Sequence, residues 1–565
     1  MTVYRKLSLL VAALCLLGGC SWYWPMLEGV EDMLQPSASP TPVVPTELPV
    51  IPGVGSARST LFGLAWYPVD AWQPLKDFSR TNQDLYPLVY ESLFVLDERF
   101  EPQPALCESM ATEDNVVFLL TLRTGVLFHD GRALTPEDVV FSLEQARSAA
   151  SPFSGRLEAV RQITAVGDRQ VEITLNRPQS RFAALLNIPV IPAGSDKEDI
   201  APGTGPYMPV RDSLAVALNE ENPEEEAAEG EGRLYLRANP LWRGESPSPS
   251  RIELTEAQRS DELIDGFEAG TFSLLSYDPL DSTSVNIRAG LEAWSYPTGK
   301  MHFLGFNAER APFSNAGVRR AVSQAVDRAL LAAEVFGGFA DPAVLPVPPQ
   351  SPLTENASPQ REFGFDLRKT TELLEALGFS DDESAGVLAY PAALFPAPGK
   401  QPDGAEKIPF SAELLVCAEN SAACAAAERI AQSLCEQGLP VVLRRLPFES
   451  YRKALEDGDF DFYYGVVQLS CDFDPGLFLR GGALGYCVDY DPELDLLYED
   501  LQNASAGALL ARRGFYRAFA ENTVIAPLVF TQRRLIARRG WLRHPTPTAA
   551  NLFYGWENWG VTPGE

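Results

Sequence analysis

Short β-rich runs alternating with helical patterns constrain this chain more than any other feature, because that alternation marks an α/β protein. Val116 to Thr124 reads as a strand and Asp130-Gly131 as a tight turn. Thr135 then stands as an N-cap and Pro136 as the first helical residue, while Glu137 and Asp138 complement the positive end of the helix dipole. That helix runs through Val139, Phe141, Ser142 and Leu143. Val171 to Leu175 is a further strand, and Ser314 is placed to cap a helix with the apolar face Val318, Ala321, Val322, Ala325, Val326 and Leu330. Helix and strand alternate again from Phe410 to Leu446.

Ahead of this body lie Arg5 and Lys6, then an apolar stretch from Leu7 to Leu17 that is too short to cross a bilayer core of roughly 30 Å as a helix. It reads as a secretion signal. The stretch ends in Leu17-Gly18-Gly19-Cys20, which resembles a bacterial lipobox, so Cys20 is expected to carry lipid and to become the mature N-terminus. Two or three acyl chains, at roughly 0.8 kcal/mol per buried methylene, suffice to anchor a soluble body. From Gln35 to Gly55, Pro, Ser, Thr and Val predominate, as in an extended tether. Asn219 to Gly232 carries seven glutamates and reads as a solvated surface insertion. Pro396 to Lys407, rich in Pro, Gly and charge, tips a hairpin or joins two elements.

Removing nineteen residues from 565 leaves 546, enough for several cores at 45% hydrophobic residues. Acidic residues number 76 against 46 basic, a net charge of -30, so nucleic acid is excluded as an expected partner: its binding draws on Lys and Arg contacts to phosphate. With Cys15 in the signal and Cys20 lipidated, six cysteines remain, and Cys471 with Cys487 or Cys417 with Cys424 would each close a short loop as a disulfide. No CxxC pair occurs, and His129, His302 and His544 are far apart, so no metal site and no cofactor are expected.

Several phrases resemble, in order, the large substrate-binding proteins of peptide- and nickel-type ABC importers, solute-binding protein family 5. They are Leu88-Val89-Tyr90-Glu91-Ser92-Leu93-Phe94 with Pro104-Ala105-Leu106; Phe128-His129-Asp130-Gly131 and Leu134 through Ser142; Gly203-Thr204-Gly205-Pro206-Tyr207; and Asn239-Pro240. Phe306-Asn307, Pro312-Phe313, Val318-Arg319, Ala325 through Arg328, Asp472-Phe473-Asp474-Pro475 and Asp491 through Asp495 follow. The residues themselves take structural readings first. His129 orients the turn it sits in, Gly203 and Gly205 supply positive φ, and Asp327 with Arg328 forms a helix-surface ion pair.

The resemblance implies an α/β, two-lobed periplasmic-binding-protein-like fold (type II) with an extra domain inserted in the first lobe. Carried onto this chain, the signal is 1–19, the lipidated N-terminus and tether 20–57, and the first lobe 58–88, 200–298 and 528–565. The inserted domain is 89–199 and the second lobe 299–527. It implies capture of a peptide or peptide-like ligand, without chemical change to it, by a monomer held on the outer face of the cell membrane by its lipid anchor and serving an ABC permease. In peptide-binding relatives an aspartate in the phrase matching Cys471 to Pro475 pairs with the ligand's α-amino group, which points to Asp472, with Asp474 second. The other reading is that Asp474-Pro475 starts a turn that Asp472 caps. Leu469 stands where the family often has a tryptophan platform, and Trp294 and Tyr277 are the alternative aromatic walls. A nickel chelate or oligosaccharide receptor would keep the same phrases. An exported hydrolase would need a nucleophile elbow or a H-E-x-x-H helix, and neither occurs.

Overall fold

The computed structural model describes residues 62–211, 234–280, 290–354, 359–382, 386–394, 406–505 and 508–561. The signal, Cys20, the Pro-rich tether and the acidic insertion lie outside them. Strand β1 (Phe62–Trp66) starts a sheet, and helix α1 (Arg80–Leu85) follows. The chain then leaves to build a separate antiparallel sheet from β2 (Cys107–Ala111), β3 (Val117–Leu122), β4 (Val160–Val166) and β5 (Gln170–Leu175), in the order β2-β3-β5-β4. It returns as β6 (Tyr207–Arg211), β7 (Leu234–Ala238) and β8 (Arg251–Glu256), which complete the first sheet as β1-β8-β7-β6, with β1 and β8 parallel. A sheet interrupted by a second sheet is an inserted domain.

Between β3 and β4 lies α2 (Pro136–Ala146), and its start follows from local chemistry as the sequence predicts. Asp138 Oδ2 accepts from the backbone N–H and hydroxyl of Thr135 at 2.9 and 2.8 Å, and its Oδ1 accepts from Ala193 N at 2.8 Å. Val139, Leu143 and Ala146 are buried on one face, and burying a valine or leucine side chain contributes about 1.5–3 kcal/mol. His129 orients its turn, bonding Gly203 through backbone and Nδ1. Gly203 and Gly205, however, do not have positive φ. They are glycine because the chain passes against Val89: a Cβ on either would run into the Val89 backbone, to which Gly205 N donates at 2.9 Å.

A third sheet takes β9 (Leu274–Tyr277), β10 (Leu291–Phe306), β11 (Ala412–Cys417), β12 (Val441–Leu446), β13 (Phe462–Gln468) and β14 (Ile525–Arg538), in the order β9-β14-β10-β13-β11-β12. Residues Ala340–Pro342 pair beside β14. Strands β10 and β14 are 16 and 14 residues long and antiparallel, with a register shift between Pro297 and Met301. They run from one core to the others. Tyr296 and Leu535 pack in the first core with β1 and the inserted sheet, whereas Leu304 and Leu528 enter a second and Met301 and Phe530 a third, on opposite faces of the sheet. The region from Phe410 to Leu446 is strand, helix, strand as expected, β11 and β12 being parallel.

Two helices replace the single one expected after Ser314. In α3 (Ala316–Gln324) the cap is Asn315, whose Oδ1 accepts from Gly317 N at 2.8 Å; α4 (Arg328–Glu334) starts afresh because Asp327 caps it, accepting from Leu330 N at 3.0 Å. The Asp327–Arg328 surface ion pair does not form. Arg328 is 4% exposed and spends its donors on the carbonyls of Ala343, Pro527, Ser323 and Val326 and on the Ser323 hydroxyl, gathering three chain segments. Lys407–Pro409 pairs antiparallel with Val387–Pro391, so the Pro-rich stretch joins neighbouring strands, its middle lying outside the described residues.

Candidate functional site

After β13 the chain makes a tight passage, Ser470 to Pro475, before a 3-10 turn at Pro475–Phe478. Phe473 holds φ +51, a left-handed conformation that costs a bulky residue about 1–3 kcal/mol and marks a position fixed by its surroundings. Its ring meets Phe100 edge to face at 5.1 Å. The two flanking carboxylates differ in environment. Asp474 caps the 3-10 turn, accepting from Gly476 N at 3.0 Å, Tyr498 OH at 2.9 Å and Gln502 Nε2 at 3.0 Å, the last two from helix α5 (Pro492–Asn503). Asp472 is 5% exposed; its Oδ1 accepts from the Ser470 hydroxyl and its Oδ2 from Gln179 Nε2 at 3.2 Å. Burial, and then the charge on Asp474, raise its carboxyl above the usual range.

Gln179 belongs to the inserted domain, so this contact ties that domain to the passage after β13. Asn115 Nδ2 donates to the carbonyls of Gln502 and Ala504 at 2.9 Å each, and Ser180 N donates to Gln502 Oε1 at 3.3 Å. A cavity of about 20 Å³ is enclosed there by Gln179, Arg181, Asp472, Asp474, Gln502 and Tyr516 among others, room for one small polar group. Gln179 Oε1 and Arg181 Nε face this neighbourhood buried and without a hydrogen-bond partner. Such orphaned atoms are uncommon in folded proteins and cost about 1–3 kcal/mol each.

Of the residues singled out from sequence, Asp472 and Asp474 thus meet, and the turn is capped by Asp474 rather than Asp472. Trp294 and Tyr277 do not join them, and they cannot be two walls of one cleft. Tyr277 pairs with Arg534 and Trp294 with Leu535, adjacent residues of β14 that point to opposite faces. Trp294 packs on the first core and Tyr277 on a small cluster with Phe267 and Phe272. Cys471 and Cys487 stand as free thiols, as do Cys417 and Cys424; Cys487 Sγ lies against Gly458, and its carbonyl accepts from Ala308 N, while Cys471 stays in the Asp472 turn. The expected Cys471–Cys487 disulfide is therefore absent from the structure. Among the described residues no three His, Cys, Asp or Glu side chains are grouped to hold a metal, and no helix is long and apolar enough to cross a membrane. Gln179, Arg181, Tyr498 and Gln502 went unnoticed in the sequence because nothing local marks them.

Two lobes bridged by a pair of long strands, with a buried carboxylate at their junction, define a binding protein of the periplasmic type. The family model for bacterial extracellular solute-binding proteins, family 5 (middle), matches residues 101–481, and the chain belongs to that family. It is 25% identical over 343 residues to the glutathione-binding protein GsiB of Escherichia coli (strain K12), covering 58% of this chain and 61% of GsiB. To the heme-binding protein A of Haemophilus influenzae it is 24% identical over 314 residues, covering 49% of this chain and 54% of the relative. The chain thus spans only 54–61% of the length of these curated relatives. Among solved structures, the Bacillus subtilis oligopeptide-binding protein AppA in complex with a nonapeptide aligns with TM-score 0.55 at 19% identity, over 88% of this chain and 98% of AppA. A nickel ABC transporter protein from Bacillus halodurans aligns with TM-score 0.67 at 18% identity, over 87% and 98%. Proteins of this family bind solutes for transport and do not transform them.

Proposed function

We propose that this chain is the extracytoplasmic receptor of an ABC importer, that it captures a peptide or peptide-like solute between its lobes, and that Asp472 meets the ligand's ammonium group. The lobes are 58–88 with 200–298 and 528–565, against 299–527, and the inserted domain 89–199 closes over the second of these. The observation that carries the reading is Asp472 itself: a desolvated carboxylate with no ion pair among the described residues, felt by Arg181 only through space, beside an unpartnered Gln179 Oε1. Two acceptors around a small cavity suit an N–H-rich cation. The cavity admits a head group and no more, so a whole solute requires the lobes to part. The AppA–nonapeptide structure supports a peptide on this scaffold. Mass spectrometry of solute co-purified from the native host tests the reading: a peptide with a free amino terminus is the expected result, and a sugar or metal chelate in its place would overturn it.

The receptor acts as a monomer, lipid-anchored through Cys20 on the outer face of the cell membrane and delivering to a permease there. Cys20→Ala is expected to move the protein from the membrane fraction to the soluble one; unchanged retention counts against the anchor.

A further inference from the structure

We infer that Arg533 is an anion-binding residue of the same cleft and that the solute carries a carboxylate; the inference deepens the proposed receptor reading and rests on it. Arg533 lies on β14 opposite Tyr296 of β10, where the crossing strands leave the first core. Its Nε donates to Tyr296 OH at 3.3 Å, and its Nη2 to Ser276 O and Oγ at 3.3 and 3.2 Å. All three lie at or beyond the long end of N–H···O geometry. Among the described residues Nη1 has no hydrogen-bond partner.

The surrounding charges leave this guanidinium over. Asp84 of α1 is held by Arg80 at 2.8 Å, and Asp278 by Lys300 at 3.4 Å. Among the described residues no carboxylate pairs with Arg533, although its side chain is largely withdrawn from water. A half-buried guanidinium with its fork unsaturated presents two parallel N–H groups, the geometry that a carboxylate accepts bidentately. The Tyr296 phenol beside it is held above its ordinary pKa, chiefly by burial and against the pull of Arg533, so it stays protonated at neutral pH. Asp84 and Asp278 act on the guanidinium through space and help raise its pKa, but each is ion-paired with another cation, Arg80 or Lys300.

Position ties this residue to Asp472. The Asp472 passage packs on the Pro297–Met301 irregularity of β10, where Leu469 N donates to Gly299 O at 2.9 Å and the Phe473 ring borders Gly299. Tyr296 and Arg533 flank the other side of that irregularity. A carboxylate on one side and an unpaired guanidinium on the other, about one irregular stretch of strand, make a cleft for a solute with an ammonium and a carboxylate, such as a short peptide with both ends free.

The test uses two matched libraries of tri- to pentapeptides, both with free amino ends, one with free C-terminal carboxylates and one C-terminally amidated. Retention is read by affinity selection and mass spectrometry, and recovered sequences by calorimetry. The wild-type protein is expected to prefer acids over amides by about 30-fold or more, and Arg533→Gln to lose that preference at an unchanged melting temperature. Equal retention of acids and amides by the wild type, or a preference that survives Arg533→Gln, overturns the assignment and leaves the peptide reading standing. If Arg533→Gln does not fold, Arg533→Lys replaces it, with a weakened preference expected and an intact one overturning. If the wild type retains neither library, the peptide reading falls and succinate decides for Arg533. Stabilisation of the wild type but not the variant by succinate upholds the anion site, and equal responses overturn it.

Discussion

Gln179 Nε2 donates to Asp472 Oδ2 at 3.2 Å, joining residues 293 positions apart in sequence, one in the inserted domain and the other in the passage after β13. The carboxylate it reaches is one that burial disfavours. Under the proposed ligand role, function and stability pull on Asp472 in opposite directions.

Asp472→Asn separates the two. A carboxyl whose folded pKa is raised above its unfolded value loses stability as pH climbs from the unfolded pKa through the folded one, so at neutral pH the ionised group destabilises the empty protein. The amide removes that charge at nearly constant volume. Melting temperature of the unliganded variant is expected to rise, while calorimetry with the native solute shows affinity down about 30-fold or more, from an unpaired ammonium costing roughly 2–5 kcal/mol. Unchanged affinity would remove Asp472 from the ligand site.

Asp474→Ala has the reverse profile. It deletes the acceptor for Gly476 N, Tyr498 OH and Gln502 Nε2, so the 3-10 turn loses its cap and α5 its tie. Stability is expected to fall by about 1–3 kcal/mol in urea titration. A drop in affinity without one in stability would instead put Asp474 at the ligand.

Arg328→Lys tests a buried charge that has no carboxylate within its contacts. Burial pulls its pKa down to about 10, so it remains charged at neutral pH while five acceptors, at 2.8 to 3.3 Å, share its fork. Lysine offers three donors from one point and leaves carbonyls of the α3–α4 junction and of Pro527 unmet. A loss of about 2–4 kcal/mol is expected, read as a lower urea midpoint.

His302 gives the pH dependence. The ring is 1% exposed, with Nδ1 3.0 Å from Tyr464 OH, and burial lowers its pKa to about 3 from an ordinary 6.5. The unfolded chain binds this proton first, so the stability it supports is whole above about pH 6.5 and drains away as pH falls toward 3. His129, lowered by burial to about 4, acts in the same sense over a narrower window. His302→Gln is expected to flatten the slope of unfolding free energy between pH 6 and 4; an unaltered slope rejects the assignment.

What the sequence made legible was chemistry confined to a few neighbouring residues. Thr135, Pro136 and Asp138 start a helix through contacts three positions apart, and Asp130-Gly131 turns within itself, with Gly131 at φ +86. Reasons that come from another part of the chain were invisible. Gly203 and Gly205 were readable as required glycines, yet the requirement is the Val89 backbone more than a hundred positions earlier. Trp294 and Tyr277 looked equivalent because the register that sends them to opposite faces is set by β14, some 240 residues later. The carboxylates of the junction carried a family phrase, but Gln179, Arg181 and Arg533 carried none. Each is an ordinary polar residue until folding leaves one of its atoms or its charge without a partner.

The paired strands β10 and β14 also set how this molecule must work as a machine. A two-stranded antiparallel ribbon resists being stretched or sheared, because its ladder hydrogen bonds lie across it, but it bends cheaply where the ladder is broken, and here the breaks are the stretch from Pro297 to Met301 and the shift next to it between His302 and Phe303. The two strands therefore act as a leaf spring with one short soft stretch. Asp472 packs on one side of that stretch and Arg533 on the other, so under the roles proposed for these two residues a solute bridging them loads the spring directly, and the degree of bend becomes a gauge of the length of what is bound.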